Sequence, residues 1–319
     1  MTTQNLPSHG GKADPSGGST MCLVVGATGP VGLGGEICQL LRVAGKPTRA
    51  LVRPTSDAQQ IKRLRNAGVE LVYGDLKDPN SLRAACRDVD TVISTASILV
   101  SRQPGDTIEG VDGQGQSDLI DAATACGVES FVYTSFSGHI DREFPFRNAK
   151  RDVEQHLKAS GLFYTILRPT FYMEVWLAPL SGFDYVNARA TIYGAGRNRI
   201  SWLSFHDVAR FALMCLDNAE ARNAAFELGG PEALTPLEVV QTFEELSGRS
   251  FEIDFVSEQT LSDEQASGAN SLLRSVAGLQ RSYADGDVVD IAEIARHFPI
   301  TLTSVRDYAT RVLSGAGPD

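Results

Sequence analysis

Met21-Cys22-Leu23-Val24-Val25, followed by Gly26-Ala27-Thr28-Gly29-Pro30-Val31-Gly32, decides how the rest of the chain is read. The first five residues are a short, continuous apolar run, the pattern of a strand buried on both faces of a parallel sheet. The glycines follow at spacings of three, and a helical pattern then runs to about Ala44. Strand, glycine-rich turn and helix form the context in which such glycines bind a dinucleotide. Gly26 is expected to make the tight turn. Gly29 would let the backbone approach a pyrophosphate, and Gly32 would let helix and strand pack closely. The helix N-terminus offers unpaired N–H groups and a positive dipole end to the phosphates. Thr28, Pro30 and Val31 belong to the same turn, and proline is tolerated early in a helix because it has no intrahelical bond to lose there.

Outward from this unit the rhythm repeats. Further strands are expected at Thr48–Val52, Val69–Tyr73, Thr91–Ser94, Ser130–Thr134 and Tyr164–Arg168. Helices are expected between them at Asp57–Ala67, Pro79–Arg87, Gly113–Cys126 and Asn148–Ser160. This alternation predicts an α/β fold, a Rossmann-type doubly wound parallel sheet. After Pro169 the rhythm breaks. Phe171–Leu180 is aromatic and apolar, and the remainder reads as short strands at Thr191–Tyr193 and Phe251–Phe255 with helices at His206–Leu216, Thr235–Leu246, Val288–His297 and Thr303–Leu313. The expected organisation is a disordered tail over residues 1–20, a dinucleotide-binding domain over 21–170, and a smaller α+β substrate region over 171–319 that interleaves with the first domain.

Bulk properties narrow the function classes. The chain has 319 residues and a net charge of -10 without a basic block, which argues against a nucleic-acid or anionic-membrane surface. No apolar stretch approaches the ~20 residues of a membrane span. The five cysteines are scattered, without a CxxC or Cys/His cluster, as in a reducing cytoplasm and without a structural metal.

The second strand ends in Arg53, where an acidic residue would mark a preference for a free ribose 2′-hydroxyl. An arginine fork instead suits a 2′-phosphate, so NADP(H) is expected over NAD(H). Lys62 and Arg63, on the next helix, either add charge there or form an exposed face. Asp75, beside Leu76 after the third strand, is a candidate acceptor for the adenine amino group. Thr95, Ala96 and Ser97, after the fourth, leave room for the nicotinamide ribose.

Taken in order, GATGPVG, ALVRP, GDLKDPNSL, DTVIS, GVESFVYTS and AKRDVEQHLKASGLFYTILRPTF resemble the NmrA-like family of atypical short-chain dehydrogenases/reductases, a group similar to isoflavone reductases and NAD(P)H:quinone reductases. The resemblance covers about Met21 to Tyr172. It implies NADP(H) at the glycine turn with Arg53 as the family's charge reader. It also implies either a reductase or a dinucleotide-binding redox sensor with little chemistry. Ordinary short-chain dehydrogenases carry a Tyr-x-x-x-Lys pair in which the lysine holds the ribose and lowers the tyrosine pKa. Here the positions read Phe146-Arg-Asn-Ala-Lys150. Lys150 is retained, at an expected helix start where a cation opposes the dipole, and the phenol is gone. Ser135, and Ser137 and His139 beyond it, are candidate substrate contacts, and Tyr172 is a candidate replacement phenol. His206 is assigned no chemistry, and Asp207 is read as a helix cap.

Three readings follow. The first is NADPH-dependent hydride transfer to an apolar carbonyl, quinone or activated alkene, with a small apolar organic substrate and a monomer or homodimer. The second is an NADP(H)-binding redox sensor. The third, a nucleotide-sugar epimerase, needs the missing tyrosine.

Overall fold

The computed structural model describes residues 20–29, 32–99 and 102–315. The expected tail, apart from Thr20, lies outside the described residues, as do Pro30 and Val31. The chain runs β1 (Cys22–Val25), α1 (Leu33–Val43), β2 (Thr48–Val52), α2 (Ala58–Asn66), β3 (Glu70–Tyr73), α3 (Pro79–Ala85) and β4 (Thr91–Ser94). A π-helical segment, Ile108–Gly115, leads into α4 (Gln116–Ala125), followed by β5 (Ser130–Thr134), α5 (Pro145–Ala159) and β6 (Phe163–Pro169). Then come α6 (Met173–Trp176), β7 (Phe183–Asp184), β8 (Arg189–Tyr193), α7 (Phe205–Asp217), β9 (Ala224–Leu228), α8 (Pro236–Ser247) and β10 (Glu252–Val256). The chain closes with α9 (Glu258–Ser267), α10 (Ser271–Asp285), α11 (Ile291–His297) and α12 (Val305–Leu313).

Seven strands form one sheet in the order β3-β2-β1-β4-β5-β6-β9, and all its pairs are parallel. This is a doubly wound Rossmann sheet. Its order reverses between β1 and β4, so a crevice opens there beyond the carboxyl ends of the strands. Every residue of β1 and β4 is buried, as expected of central parallel strands covered on both faces. One face packs Val24 and Ala50 against Ile37 and Leu41 of α1 and Phe211 of α7. The other packs Leu23, Val92 and Phe131 against Leu119 of α4 and Val153 and Leu157 of α5. A second sheet of three strands, β10-β8-β7, lies in the smaller C-terminal region.

Several elements depart from expectation. The helix before α4 starts earlier, as a π-helical turn capped by the Thr107 hydroxyl. Helix α5 starts at Pro145, so Lys150 stands well inside it and is not a helix-start cation. Ser204, not Asp207, caps α7; Asp207 is buried and accepts the Thr303 N–H at 2.8 Å. Strand β9 and helices α9 and α10 were not anticipated. Helix α10 turns Ser275, Ala277, Gly278, Ser282 and Tyr283 inward, with Leu272 and Leu279 packed against the core beside them. Gly278 is there because Phe144 fills the space: a Cβ would stand 2.5 Å from its ring.

Candidate active site

The glycine turn leaves β1 with Gly26 at φ +99°, a left-handed conformation that glycine adopts without strain. A side chain there would also collide with the end of β4, its Cβ 2.6 Å from Thr95 Oγ1 and 2.8 Å from the Ala96 nitrogen. The close helix–strand contact expected at Gly32 falls instead on Gly34, whose Cβ would meet the Gly26 carbonyl oxygen at 2.5 Å. Gly32, at φ +93°, turns the chain into α1. Thr28 Oγ1 lies 3.0 Å from Ser56 Oγ, which accepts the Arg53 N–H at 3.1 Å, tying the turn to the end of β2.

These residues line one cleft. Gly26, Thr28, Gly29, Arg53, Asp75, Leu76, Thr95, Ala96 and Ser97 all border it. Lys62 and Arg63 are exposed on α2 and do not. Arg53 Nη1 donates to the buried carboxylate of Asp106 at 2.7 Å. Asp75 accepts the Lys77 N–H through Oδ1 at 2.9 Å.

A second cavity, of about 290 Å3, meets the first at Thr95 and Ser97, which line both. Its walls include Leu99, Phe136, Phe146, Phe171, Trp176 and Leu279. Lys150 is the one charged residue in its lining among the described residues. Lys150 is 2% exposed and donates to the Thr134 carbonyl at 3.1 Å. Its Nζ stands 4.0 Å from Asp112 Oδ1, with the Tyr133 and Phe146 rings at 4.8 and 5.3 Å. Burial pushes the Lys150 pKa down, partly offset by Asp112 and Glu154. Burial likewise pushes Asp112 up, partly offset by Lys150. Asp112 Oδ2 accepts the Ile98 N–H at 3.1 Å, while Oδ1 has no hydrogen-bond partner among the described residues.

Ser135 and Tyr172 line the same cavity. The Ser135 hydroxyl already donates to Glu154, so its proton is committed. The Tyr172 hydroxyl is buried without a hydrogen-bond partner, and burial raises its pKa. Ser137 and His139 lie off the cavity; His139 Nδ1 stands 3.3 Å from Asp287. Sequence reasoning missed Asp106, Asp112 and the α10 residues Val276, Leu279 and Gln280 that close the apolar wall. Asp112 left no distinct signal, because its segment Ile108–Gly115 also carries Glu109 and Gln114.

Residues 19–305 match the family model described as the NmrA-like family. The chain belongs to the NmrA-like family. Among curated relatives, the NAD(P)H azoreductase of Xenophilus azovorans is 30% identical over 72% of this chain and 74% of its own length. The photosystem II assembly factor Ycf39 of Trieres chinensis is also 30% identical, over 73% of this chain and 70% of its own. Among solved structures, the triphenylmethane reductase of Citrobacter sp. in complex with NADP(H) superposes with a TM-score of 0.73 at 20% identity, covering 91% of this chain and 99% of that one. No helix of the described residues is long and apolar enough to cross a membrane, and no group of three or more His, Cys, Asp or Glu among them could hold a metal.

In the first cleft of this NmrA-like protein a side chain at Gly26 has no room beside Thr95 and Ala96, and small residues stand where the cleft opens into the apolar cavity.

Proposed function

We propose that this NmrA-like protein is a reductase that binds NADP(H) and acts on a small, uncharged, apolar carbonyl, quinone or activated alkene. The observation that carries the reading is the meeting of the two cavities at Thr95 and Ser97, with Lys150 as the charged group in the apolar one. The glycine turn and the N-terminus of α1 would hold the pyrophosphate. Arg53 would face the 2′-phosphate, Asp75 the adenine, and Thr95, Ala96 and Lys150 the nicotinamide ribose. When bound, NADPH supplies a hydride.

The protein's own part is to bind, orient and protonate. The aromatic walls exclude water, which strengthens the electrostatic interactions inside. An ammonium at Lys150 Nζ donates a hydrogen bond to a substrate oxygen as negative charge develops there, in place of the phenol absent at Phe146. Asp112, 4.0 Å from Nζ, partly offsets the cost of burying that ammonium. Tyr172 lines the same cavity with its ring, while its hydroxyl is buried and unpartnered among the described residues. Ser135 is a weaker candidate for substrate contact, because its donor is spent on Glu154.

NADPH oxidation tested against a quinone, an enone, an aldehyde and an imine, with the protein and with Lys150→Ala, decides the matter. Turnover with an acceptor that falls at least ~100-fold in the variant is expected. Tight NADPH binding with no turnover on any acceptor would favour the sensor reading, which gains support from the missing phenol and from a relative of equal identity that is an assembly factor.

A further inference from the structure

Arg53 is not alone at the end of β2. The Asp106 side chain, fully buried, accepts from Arg53 Nη1 at 2.7 Å and from Lys77 Nζ. Its Oδ2 also takes the Gln103 N–H at 2.9 Å, and Thr55 donates to the Gln103 side chain, so the segment around Asp106 is pinned to the β2 end. Asp75 stands 3.5 Å from Lys77. Burial alone would raise the Asp106 pKa, but the hydrogen bonds from Lys77 and Arg53 outweigh it and hold the carboxyl below the usual range. At neutral pH the corner therefore carries two cations, Arg53 and Lys77, against two carboxylates, Asp106 and Asp75.

A ribose 2′-phosphate would bring nearly two negative charges into this balanced corner. It would find Arg53 already engaged with Asp106 through Nη1 and a fixed carboxylate behind it. A 2′-hydroxyl is uncharged and meets no such repulsion. We infer that Asp106 sets the choice between NADP(H) and NAD(H), compressing the preference that Arg53 alone would give to a modest one and leaving the protein able to use both. This rests on the cofactor reading above. It adds a specificity residue that β2 does not contain and that acts through the two cations it holds.

Fluorescence titration of the full-length protein with NADPH and with NADH measures the inference without any acceptor. The two dissociation constants are expected within about tenfold of each other for the unmodified protein. Asp106→Asn keeps the shape and removes the charge. It should tighten NADPH about tenfold and change NADH by less than about threefold. Lys77→Met, at a partly exposed position, provides a second variant if Asp106→Asn does not fold. It leaves Arg53 as the carboxylate's remaining side-chain cation and should weaken NADPH several-fold relative to NADH. A ratio unchanged in the variants, or a hundredfold preference for NADPH already present in the unmodified protein, would overturn the assignment while the cofactor reading stands. Failure of both dinucleotides to bind the unmodified protein would remove the cofactor reading and this inference with it.

Discussion

Tyr172 illustrates what single residues in this site cost and supply. Its hydroxyl is buried with no hydrogen-bond partner among the described residues, and its ring packs beside the second cavity. An unsatisfied buried hydroxyl is unfavourable, so Tyr172→Phe should leave stability unchanged or raise it by up to about 1 kcal/mol. If the hydroxyl meets a substrate oxygen, the same change should lower kcat/KM about tenfold. Urea unfolding and steady-state kinetics on one preparation separate the two effects. A stability loss near 2 kcal/mol would show that the hydroxyl has a partner in the folded protein. At this scale the residues that stand out in the sequence are those marked by local pattern: the glycines of the turn, Arg53 ending a strand, and Lys150 without its tyrosine. Asp106 and Asp112 were not legible, because a carboxylate's role is set by what it meets across space. Asp106 meets an arginine 53 positions away, and no periodicity announces that pairing.

Elements were legible in proportion to the size of the side chains they bury. Strands β2, β4 and β5 have the ends read from their apolar runs, whereas β9, with two alanines and half-buried residues, gave no such signal. Helix α9 buries only Leu261 and shows no stripe like that of α1 or α5, whereas α10 turns Tyr283 inward with Leu272 and Leu279 beside it, a stripe interrupted by the small residues Ser275, Gly278 and Ser282. Yet β9 is where the second half of the chain joins the sheet of the first. The junction is clamped by charge. Glu154 of α5 accepts from Arg168 Nε of β6 at 3.1 Å and from Ser135, while Arg168 Nη1 donates to Glu227 of β9 at 3.0 Å. Glu227 in turn accepts the Gly138 N–H at 2.8 Å. Burial would raise the Glu154 pKa, but the hydrogen bonds from Arg168 and Ser135 and the nearby arginine charges hold it below its ordinary value. A depressed carboxylate contributes stability that is complete above the unfolded pKa of about 4.5 and lost as pH falls through the folded value. Glu154→Gln should therefore cost roughly 3 kcal/mol near pH 7, since it breaks a buried pair from one side. The gap to the unmodified protein should narrow as pH drops below about 4.5. Urea unfolding across that pH range checks both claims, and a gap independent of pH would mean that shape rather than charge holds the clamp.

At the scale of the whole molecule, the two cavities lie where the sheet, α5 and the C-terminal elements come together, so a ligand that bridges them ties both halves of the chain into one folded state. Binding to the folded state alone stabilises it by RT ln(1 + [L]/Kd), about 2.7 kcal/mol at one hundred times Kd. For a protein of this size that corresponds to a rise in Tm of roughly 5 °C. The glycine turn allows the effect to be assigned to its site. A side chain at Gly26 would strike Thr95 and Ala96 and force a left-handed residue, so Gly26→Val should unfold or strongly destabilise the protein even without cofactor. Gly29 is different: among the described residues a Cβ there has only the Gly26 carbonyl oxygen nearby, at 3.4 Å, and the residue faces the cleft. Gly29→Val should therefore keep the Tm of the cofactor-free protein within about 2 °C, a change of about 1 kcal/mol or less, and fill space the pyrophosphate needs. Differential scanning fluorimetry with and without NADPH tests the pair. A Gly29→Val protein that folds normally but no longer responds to NADPH places the dinucleotide at the turn after β1. One that responds as fully as the unmodified protein would move the binding site away from this turn, and with it the direction in which Lys150 and Asp106 act.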